Sequence, residues 1–356
     1  MNGTEIKTGL PDIMSMTRDE LKEFVISLGE KGFRAEQLFM WMNKGARYEE
    51  MTNLPASFLQ KLRENAEYRL PVIEQKLVSK EDGTIKYLMS LVDGECVESV
   101  FMRYEHGNTL CISSQVGCRM GCTFCASTLT GLKRNLTPSE MTGQIIAAQK
   151  DMGERVSNVV MMGIGEPLDN YKNVLKFLEN VNDENGLNIG LRHISLSTCG
   201  LCDKIRDLAD RKMQITLSVS LHASDADTRK KLMPVAKRFD LDELIDACKY
   251  YIEKTGRRIS FEYSMIHGEN DTPEHAHRLR KLLSGMLCHV NLIPLNTVRE
   301  RSYTKSSRQA IEEFKAILEK AHITATVRRR LGSDINASCG QLRADKQEEK
   351  DTFAKE

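Results

Sequence analysis

The feature that most limits the fold is a regular alternation of strand-like and helical segments after residue 108. Six segments have the length and the apolar, β-branched composition of strands, and amphipathic helical segments separate them. Such repeated β–α units predict a parallel sheet with right-handed crossovers. Periodicity alone does not choose between a doubly wound sheet and a barrel. The candidate strands are residues 109–114, 158–162, 193–198, 214–220, 259–266 and 289–295.

The chain before this alternation divides into two parts. Residues 1–70 have a helical pattern, with Thr17 and Glu20 placed as a capping box, and predict a small all-helical domain. Residues 71–107 contain three strand-like segments separated by turn sequences, and predict a short antiparallel β extension or linker. The catalytic domain is then expected over 108–345, and the polar tail 346–356 is expected to be disordered.

Composition places the chain among soluble globular proteins, with 40% hydrophobic and 28% charged residues in a length of 356. No apolar run approaches the length of a membrane span, and the N-terminus lacks the pattern of a signal peptide. Ten cysteines without secretory features indicate a reducing compartment, so we expect a cytoplasmic protein without a membrane partner. The net charge is only +1, so any surface that binds phosphate must be local.

A cysteine array marks the candidate site. Cys118, Cys122 and Cys125 have C-x₃-C-x₂-C spacing, and Gly117 and Gly121 give the loop freedom to wrap a compact object. Thiolates this close in sequence are typical ligands of zinc or of an iron–sulfur cluster. A closed structural site usually has four ligands, so three leave one coordination position for an exchangeable group.

Other cysteines are less clear from the residues alone. Cys199 and Cys202 form a C-x-x-C that permits a second metal or redox pair, but no further pair accompanies them and we favour structural thiols. Cys339 follows the basic run 328–330 in a loop with Gly and Ser, a setting that favours a reactive thiolate, although a lone cysteine is by default inert.

The wider sequence resembles a known family. The cysteine spacing is that of the radical S-adenosylmethionine (SAM) superfamily. Over nearly the whole chain the sequence resembles the RlmN family of RNA adenine methyltransferases, on four segments: TLCISSQVGCRMGCTFCAST, GIGEPLDNYKNV, LSVSLHA and VRRRLGSDINASCGQL. This resemblance implies an α/β fold with an open (β/α)₆ partial TIM barrel and an active site at the carboxyl ends of its strands. It also implies a 4Fe–4S cluster held by Cys118, Cys122 and Cys125, with SAM chelated to the fourth iron.

The resemblance assigns roles residue by residue. It implies three catalytic residues: Cys339 as the methyl-carrying cysteine, Cys111 as the resolving cysteine that forms a transient disulfide with it, and Glu98 as the proton acceptor. From the residues alone, Glu98 would be an ordinary outward-facing strand residue. Ile164 stands where the family usually has Met. The implied SAM contacts are Gly165, Glu166, Ser197, Ser220, Leu221, His222 and Asn296.

The implied activity is methylation of carbon 2 of adenosine in 23S rRNA, at the peptidyl transferase centre, and in tRNA, at the purine 3′ to the anticodon. Two SAM molecules per turnover, a flavodoxin-like electron donor, a monomeric state and RNA binding by the helical domain and the 328–330 run belong to the same expectation. One alternative is an enzyme that methylates carbon 8 of adenosine and confers antibiotic resistance. Another is a non-enzymatic iron–sulfur sensor that binds RNA, which would need neither Cys111 nor Cys339.

Overall fold

The computed structural model describes residues 9–296, 298 and 300–335. The N-terminal part is helical, with α1 at Arg18–Ser27, α2 at Phe33–Asn43 and α3 at Ala56–Asn65. The predicted capping box at the start of α1 is confirmed: Thr17 Oγ1 accepts from the backbone N–H of Glu20, and the Glu20 carboxylate accepts from that of Thr17. These helices enclose a separate apolar core.

Three antiparallel strands follow: β1 at Val72–Val78, β2 at Ile85–Ser90 and β3 at Cys96–Tyr104. Strand β3 pairs antiparallel with β4 at Gly107–Cys111, the first strand of the parallel region. The predicted antiparallel extension is therefore a continuation of the main sheet.

The parallel region contains β4, then β7 at Asn158–Met161, β8 at Ile194–Thr198, β9 at Thr216–Ser220, β10 at Ile259–Met265, β11 at Cys288–Pro294 and β12 at Thr324–Val327. Helices connect them: α4 at Pro138–Met152, α5 at Tyr171–Asn182, α6 at Cys202–Asp210, α7 at Ala226–Leu232, α8 at Leu241–Thr255, α9 at Pro273–Leu282 and α10 at Arg308–Glu319. A small hairpin pairs β5 at Gln115–Gly117 with β6 at Leu132–Asn135.

The ten-stranded sheet has the order β1-β2-β3-β4-β7-β8-β9-β10-β11-β12. Strands β1 and β12 are its two edges among the described residues, so the barrel is open, as the resemblance implies. Strand β12 is an addition to the six predicted strands, and it ends immediately before the basic run 328–330.

The two faces of the parallel strands differ in chemistry. Apolar side chains of each strand pack under the helices in one continuous core. The alternate positions on the other face are polar and bond to one another: Ser195 Oγ lies 3.0 Å from Ser218 Oγ, and Asn291 Nδ2 donates to Glu262 at 2.7 Å. A polar inner face is what a ligand-binding partial barrel requires, because buried polar groups need partners.

The helical part is fixed to the catalytic part through α4 and α5. Lys150 Nζ donates to the Gly45 carbonyl at 2.7 Å, and Lys176 pairs with Glu20 at 2.7 Å. Ile146 of α4 belongs to the core of the helical part. Among the described residues, no helix is long and apolar enough to cross a membrane.

Candidate active site

The three cysteines of the array lie on one tight loop between β5 and β6. Gly117 has φ +78°, and a Cβ there would overlap the carbonyl oxygen of Gly131. That close approach lets the Cys118 N–H donate to the Gly131 carbonyl at 3.0 Å. Thr128 Oγ1 bonds the carbonyls of Cys122 and Cys125 at 3.1 and 2.9 Å. The loop is therefore shaped by its backbone before any ligand binds.

Neighbouring elements hold the loop in place. Arg119 forms an ion pair with Asp169, and Gln115 Nε2 donates to the same carboxylate at 3.0 Å. The Thr123 N–H donates to the Leu232 carbonyl at 3.0 Å, and Thr123 Oγ1 lies 3.0 Å from the Tyr303 hydroxyl. Contacts with several separate segments of the chain therefore fix the position of the loop.

Burial keeps the thiols of Cys118 and Cys122 neutral when no cation is beside them. Burial raises the pKa of Cys118 to about 12, partly offset by a backbone N–H from Met120, and burial followed by the neighbouring cysteines raises the pKa of Cys122 well above its ordinary value. These thiols would ionise only beside a metal cation, which deprotonates a coordinating thiol.

The three cysteines of the loop are the candidate ligands of a metal ion or a cluster. In the described part of the chain, no three His, Cys, Asp or Glu side chains converge closely enough to hold one metal ion. In a cluster each thiolate binds a different iron, so its cysteines stand further apart than the ligands of one zinc ion. Three thiolates would leave one iron of such a cluster open to another ligand.

The Gly-rich segment after β7 is bonded directly to the residues that precede the cysteine loop. The N–H groups of Ser114 and Gln115 donate to the Ile164 carbonyl at 2.9 and 3.1 Å, and the Ile164 N–H donates to Ser113 Oγ at 3.1 Å. Gly165 has φ +113°, and a Cβ there would lie 2.6 Å from that of Gln115. Glycine is required at this position because of both its backbone angle and the contact.

Glu166 is buried, and backbone donors fix its carboxylate. Oε2 accepts from the Cys199 N–H at 2.7 Å and Oε1 accepts from the Leu168 N–H at 3.0 Å. Burial raises the pKa of Glu166, although these hydrogen bonds act in the opposite direction. The carboxyl is held in one orientation at the carboxyl end of the sheet, close to Cys199.

The remaining predicted SAM contacts lie at or near strand ends. Ser197 lies near the end of β8, Ser220 ends β9, and Asn296 follows β11 by two residues. The side chain of Leu221 is fully buried in the apolar core, so only its backbone is available for a ligand.

His222 follows Ser220 and Leu221 in a left-handed conformation with φ +55°. Its Nδ1 accepts from the Ser264 N–H at 2.9 Å, and the ring makes an edge contact with Phe124 of the cysteine loop. Burial, and then the charge of Arg229, lower its pKa to about 3, so the imidazole is neutral near neutral pH. With Nδ1 accepting, Nε2 carries the proton and is available as a donor.

Cys111 and Glu98 lie on the same face of two paired strands. Cys111 pairs with Val100, and Glu98 precedes Val100 by two residues, so all three side chains face the inside of the barrel. Cys111, Asn296 and the basic run 328–330 line one cavity of about 200 Å³. Burial raises the pKa of the Cys111 thiol, and the nearby charge of Arg328 partly offsets this.

A buried ion pair at Glu98 was not foreseen from the sequence. Lys86 Nζ of β2 lies 3.1 Å from Glu98 Oε2, and both side chains are 1% exposed. In β2, the residues Ile85, Tyr87 and Met89 face the apolar core, so Lys86 faces the inside of the barrel. A lysine at an inward-facing strand position was the sequence feature that could have indicated a buried partner.

Cys339 lies outside the described residues, but the segment that precedes it, 332–335, is anchored to the turn between β1 and β2. The Gly332 N–H donates to Asp82 Oδ2 at 2.8 Å, and the Lys80 N–H donates to Asp334 Oδ2 at 2.8 Å. The nine cysteines of the described residues, including Cys111, Cys199 and Cys202, are free thiols, so no disulfide joins any two of them.

Comparison with known proteins gives the same picture. Residues 112–282 match the Radical SAM superfamily, and residues 11–68 match the ribosomal RNA large subunit methyltransferase N-terminal domain. A protein of Clostridium perfringens (strain 13 / Type A), named probable dual-specificity RNA methyltransferase RlmN, is 54% identical over 336 residues, which cover 94% of this chain and 97% of that relative. A protein of Alkaliphilus oremlandii with the same name is 56% identical over 93% of this chain and 97% of its own length.

A solved structure agrees in three dimensions. The crystal structure of a radical SAM methyltransferase from Sphaerobacter thermophilus superposes with a TM-score of 0.89 and 40% sequence identity, over 93% of this chain and 98% of that one. Identity at this level over nearly the full length of both proteins shows common membership, and the chain belongs to the RlmN family of radical SAM methyltransferases.

Proposed function

We propose that this protein methylates carbon 2 of adenosine in RNA, in 23S rRNA at the peptidyl transferase centre and in tRNA at the purine 3′ to the anticodon. What carries the proposal is the shared cavity: Cys111, Asn296 and three consecutive arginines line it, and Glu98 lies on the same face of the sheet. Phosphate-binding cations and a buried thiol next to a carboxylate suit covalent chemistry on an RNA base.

The cysteine loop and the strand ends would bind different cofactors. Cys118, Cys122 and Cys125 would hold the 4Fe–4S cluster. Gly165, Glu166, Ser197, Ser220, Leu221, His222 and Asn296 would orient SAM beside it, with two SAM molecules consumed per turnover. Bound together, the cluster and SAM would supply one-electron cleavage of SAM, which activates a methyl group for transfer. Carbon 2 is electron-poor, and by this route it does not have to act as a nucleophile.

The residues of the chain then complete the transfer. The sulfur of Cys339 would carry the methyl group, which would lose one hydrogen in that activation, so that its carbon bonds to carbon 2 while still attached to sulfur and links protein and RNA covalently. Glu98 accepts the proton that carbon 2 loses. The Cys111 thiolate attacks the sulfur of Cys339 and breaks its bond to the methylene carbon. That carbon takes up a proton to become the methyl group, and a Cys111–Cys339 disulfide remains. The disulfide must then be reduced to return both cysteines to thiols, and an external electron donor of the flavodoxin type would supply the electron for cleavage of SAM.

The substrate must be unstacked to reach the cavity, since a base inside a helix is closed to chemistry. Arg328, Arg329 and Arg330 are exposed at the cavity rim, where they suit phosphate contacts. The helical part, fixed on α4 and α5, offers a second RNA-contacting surface at a defined distance from the cavity.

The test is nucleoside analysis by mass spectrometry. The anaerobically reconstituted protein is incubated with SAM, dithionite and either a 23S rRNA fragment or tRNA. We expect 2-methyladenosine and 5′-deoxyadenosine from both RNAs. Formation of 8-methyladenosine would assign the carbon 8 activity instead, and no 5′-deoxyadenosine from iron-loaded protein would indicate a sensor.

A further inference from the structure

Arg229 is a fully buried arginine that the proposed chemistry does not use. It lies on α7, directly after the segment that carries His222, and its side chain has no exposed surface. Its Nη2 donates to the Cys199 carbonyl at 2.7 Å. Cys199 is also the residue whose N–H donates to Glu166, so Arg229 lies close to the predicted cofactor site.

The rest of its guanidinium is unsatisfied. Nε and Nη1 are buried and have no hydrogen-bond partner within the described ranges. No carboxylate in those ranges forms an ion pair with Arg229 either, although the surface arginines Arg119 and Arg134 both have one. A buried cation without a counter-charge is costly, so a fold keeps one only where something compensates it.

The groups around Arg229 include several thiols and the neutral imidazole of His222. Burial lowers the pKa of Arg229, and the nearby cysteines act in the opposite direction: Cys199, Cys202, Cys122 and Cys248. Cys122 is one of the three candidate cluster ligands, and its own electrostatic neighbours include Arg229. The last residue of the same helix, Leu232, accepts a hydrogen bond from Thr123 of the cysteine loop at 3.0 Å. Helix α7 therefore places its buried arginine close to the cysteine loop.

We propose that Arg229 is the buried counter-ion of the iron–sulfur centre and raises its reduction potential. Three thiolates give the centre a net negative charge that grows when it accepts an electron. A guanidinium in a dry environment, with two nitrogens that have no hydrogen-bond partner among the described residues, stabilises that reduced state. Arg229 is a positioning residue, since it acts through the centre and not on the substrate. The inference rests on the proposed cluster but not on the identity of the methylated atom.

The experiment is an anaerobic redox titration of the cluster, followed by electron paramagnetic resonance, in protein without SAM. We expect Arg229→Met to lower the equilibrium constant for one-electron reduction at least about tenfold, which is about 59 mV. Arg229→Lys keeps the charge and should stay much closer to the wild type. Lys230→Met removes a charge from the exposed neighbouring position of α7 and should change nothing.

A second readout does not need the potential. Melting of the apoprotein and of the cluster-loaded protein should show that Arg229→Met destabilises the loaded form more than the apo form, because only the loaded form loses a charge pair. The inference is also supported if the Arg229→Met protein folds but retains no iron while the Arg229→Lys protein retains its iron.

Two results would overturn the inference. Equal destabilisation of both forms with an unchanged potential would make Arg229 only a brace for the Cys199 carbonyl. A fall in potential that is seen only when SAM is present would make Arg229 a partner of the SAM carboxylate. Failure of the cluster assignment itself would look different, since the wild-type protein would then contain no iron and give no reduced signal.

Discussion

Cys111 has the surroundings that a resolving thiol needs. It lies at the end of β4, largely shielded from water, but it faces the cavity that the basic run also lines. Burial raises its pKa and keeps it a thiol at rest, while Arg328 favours the thiolate. The thiol is therefore protected until a partner sulfur reaches the cavity.

Replacing Cys111 separates methyl transfer from release. In Cys111→Ala, methylation of Cys339 and attack on RNA should proceed, and the covalent protein–RNA species should then accumulate because no thiol resolves it. A denaturing gel with labelled RNA shows the adduct as a slow band. Cys288→Ala is the matched control, since Cys288 begins β11 at the opposite end of the sheet, and it should turn over normally. Normal turnover of Cys111→Ala would exclude the resolving role.

The Lys86–Glu98 pair makes a prediction about stability. Lys86→Met removes a cation that lies 3.1 Å from a carboxylate with a 1% exposed side chain, so it should lower the free energy of unfolding by about 3–5 kcal/mol. The double variant Lys86→Met/Glu98→Leu should recover most of that loss, although it should be inactive. Urea unfolding of the apoproteins measures both.

A surface pair provides the comparison for Lys86. Lys315 and Glu319 of α10 form a partly exposed pair at 3.5 Å, and Lys315→Met should cost about 0–1 kcal/mol. If Lys86→Met were as mild as Lys315→Met, the pair at Glu98 would contribute little to folding.

Among the elements, the strands with a clear pattern were predictable and the short ones were not. The β–α alternation predicted six strands within a few residues of their observed positions, because one face of each strand is continuously apolar. Strand β12 was missed since it has only four residues, Thr324–Val327, and leads directly into three arginines. The periodicity likewise did not predict that the sheet is an open partial barrel, and only the family resemblance implied it.

In the site too, features formed by residues close in the sequence were predictable, and contacts between distant segments were not. The cysteine loop was predictable because its ligands and glycines are adjacent in the sequence. The proximity of Lys86 to Glu98, of Arg229 to Cys199, and of Asp82 to Gly332 depends on pairing between distant segments. Spacing in a single sequence carries no signal for such contacts.

The cysteine loop should be sensitive to its first glycine. Alanine at Gly117 would strain a left-handed backbone and overlap the Gly131 carbonyl, which displaces Cys118, so the reconstituted protein should lose most of its iron and sulfide. Gly256→Ala is the control, since Gly256 has φ +65° at the end of α8 and open space around it. It should cost about 1–2 kcal/mol of stability and keep full iron content. Equal iron content in both variants would show that backbone strain alone matters at Gly117.

In the whole molecule, near-zero net charge and a local run of cations have a measurable consequence. With a net charge of +1, long-range attraction to RNA is weak, so the salt dependence of binding should come from a few local contacts such as Arg329 at the cavity rim. In Arg329→Gln, the slope of log affinity against log salt should become shallower by about 0.7 for each phosphate of single-stranded RNA that the protein no longer neutralises.

Lys172 on the exposed surface of α5 offers a matched change of charge, and Lys172→Gln should leave that slope unchanged. Fluorescence anisotropy with a labelled RNA stem-loop at several salt concentrations distinguishes the two variants. Identical slopes for both would mean that Arg329 does not neutralise a phosphate, and the contact would then have to be made by other residues.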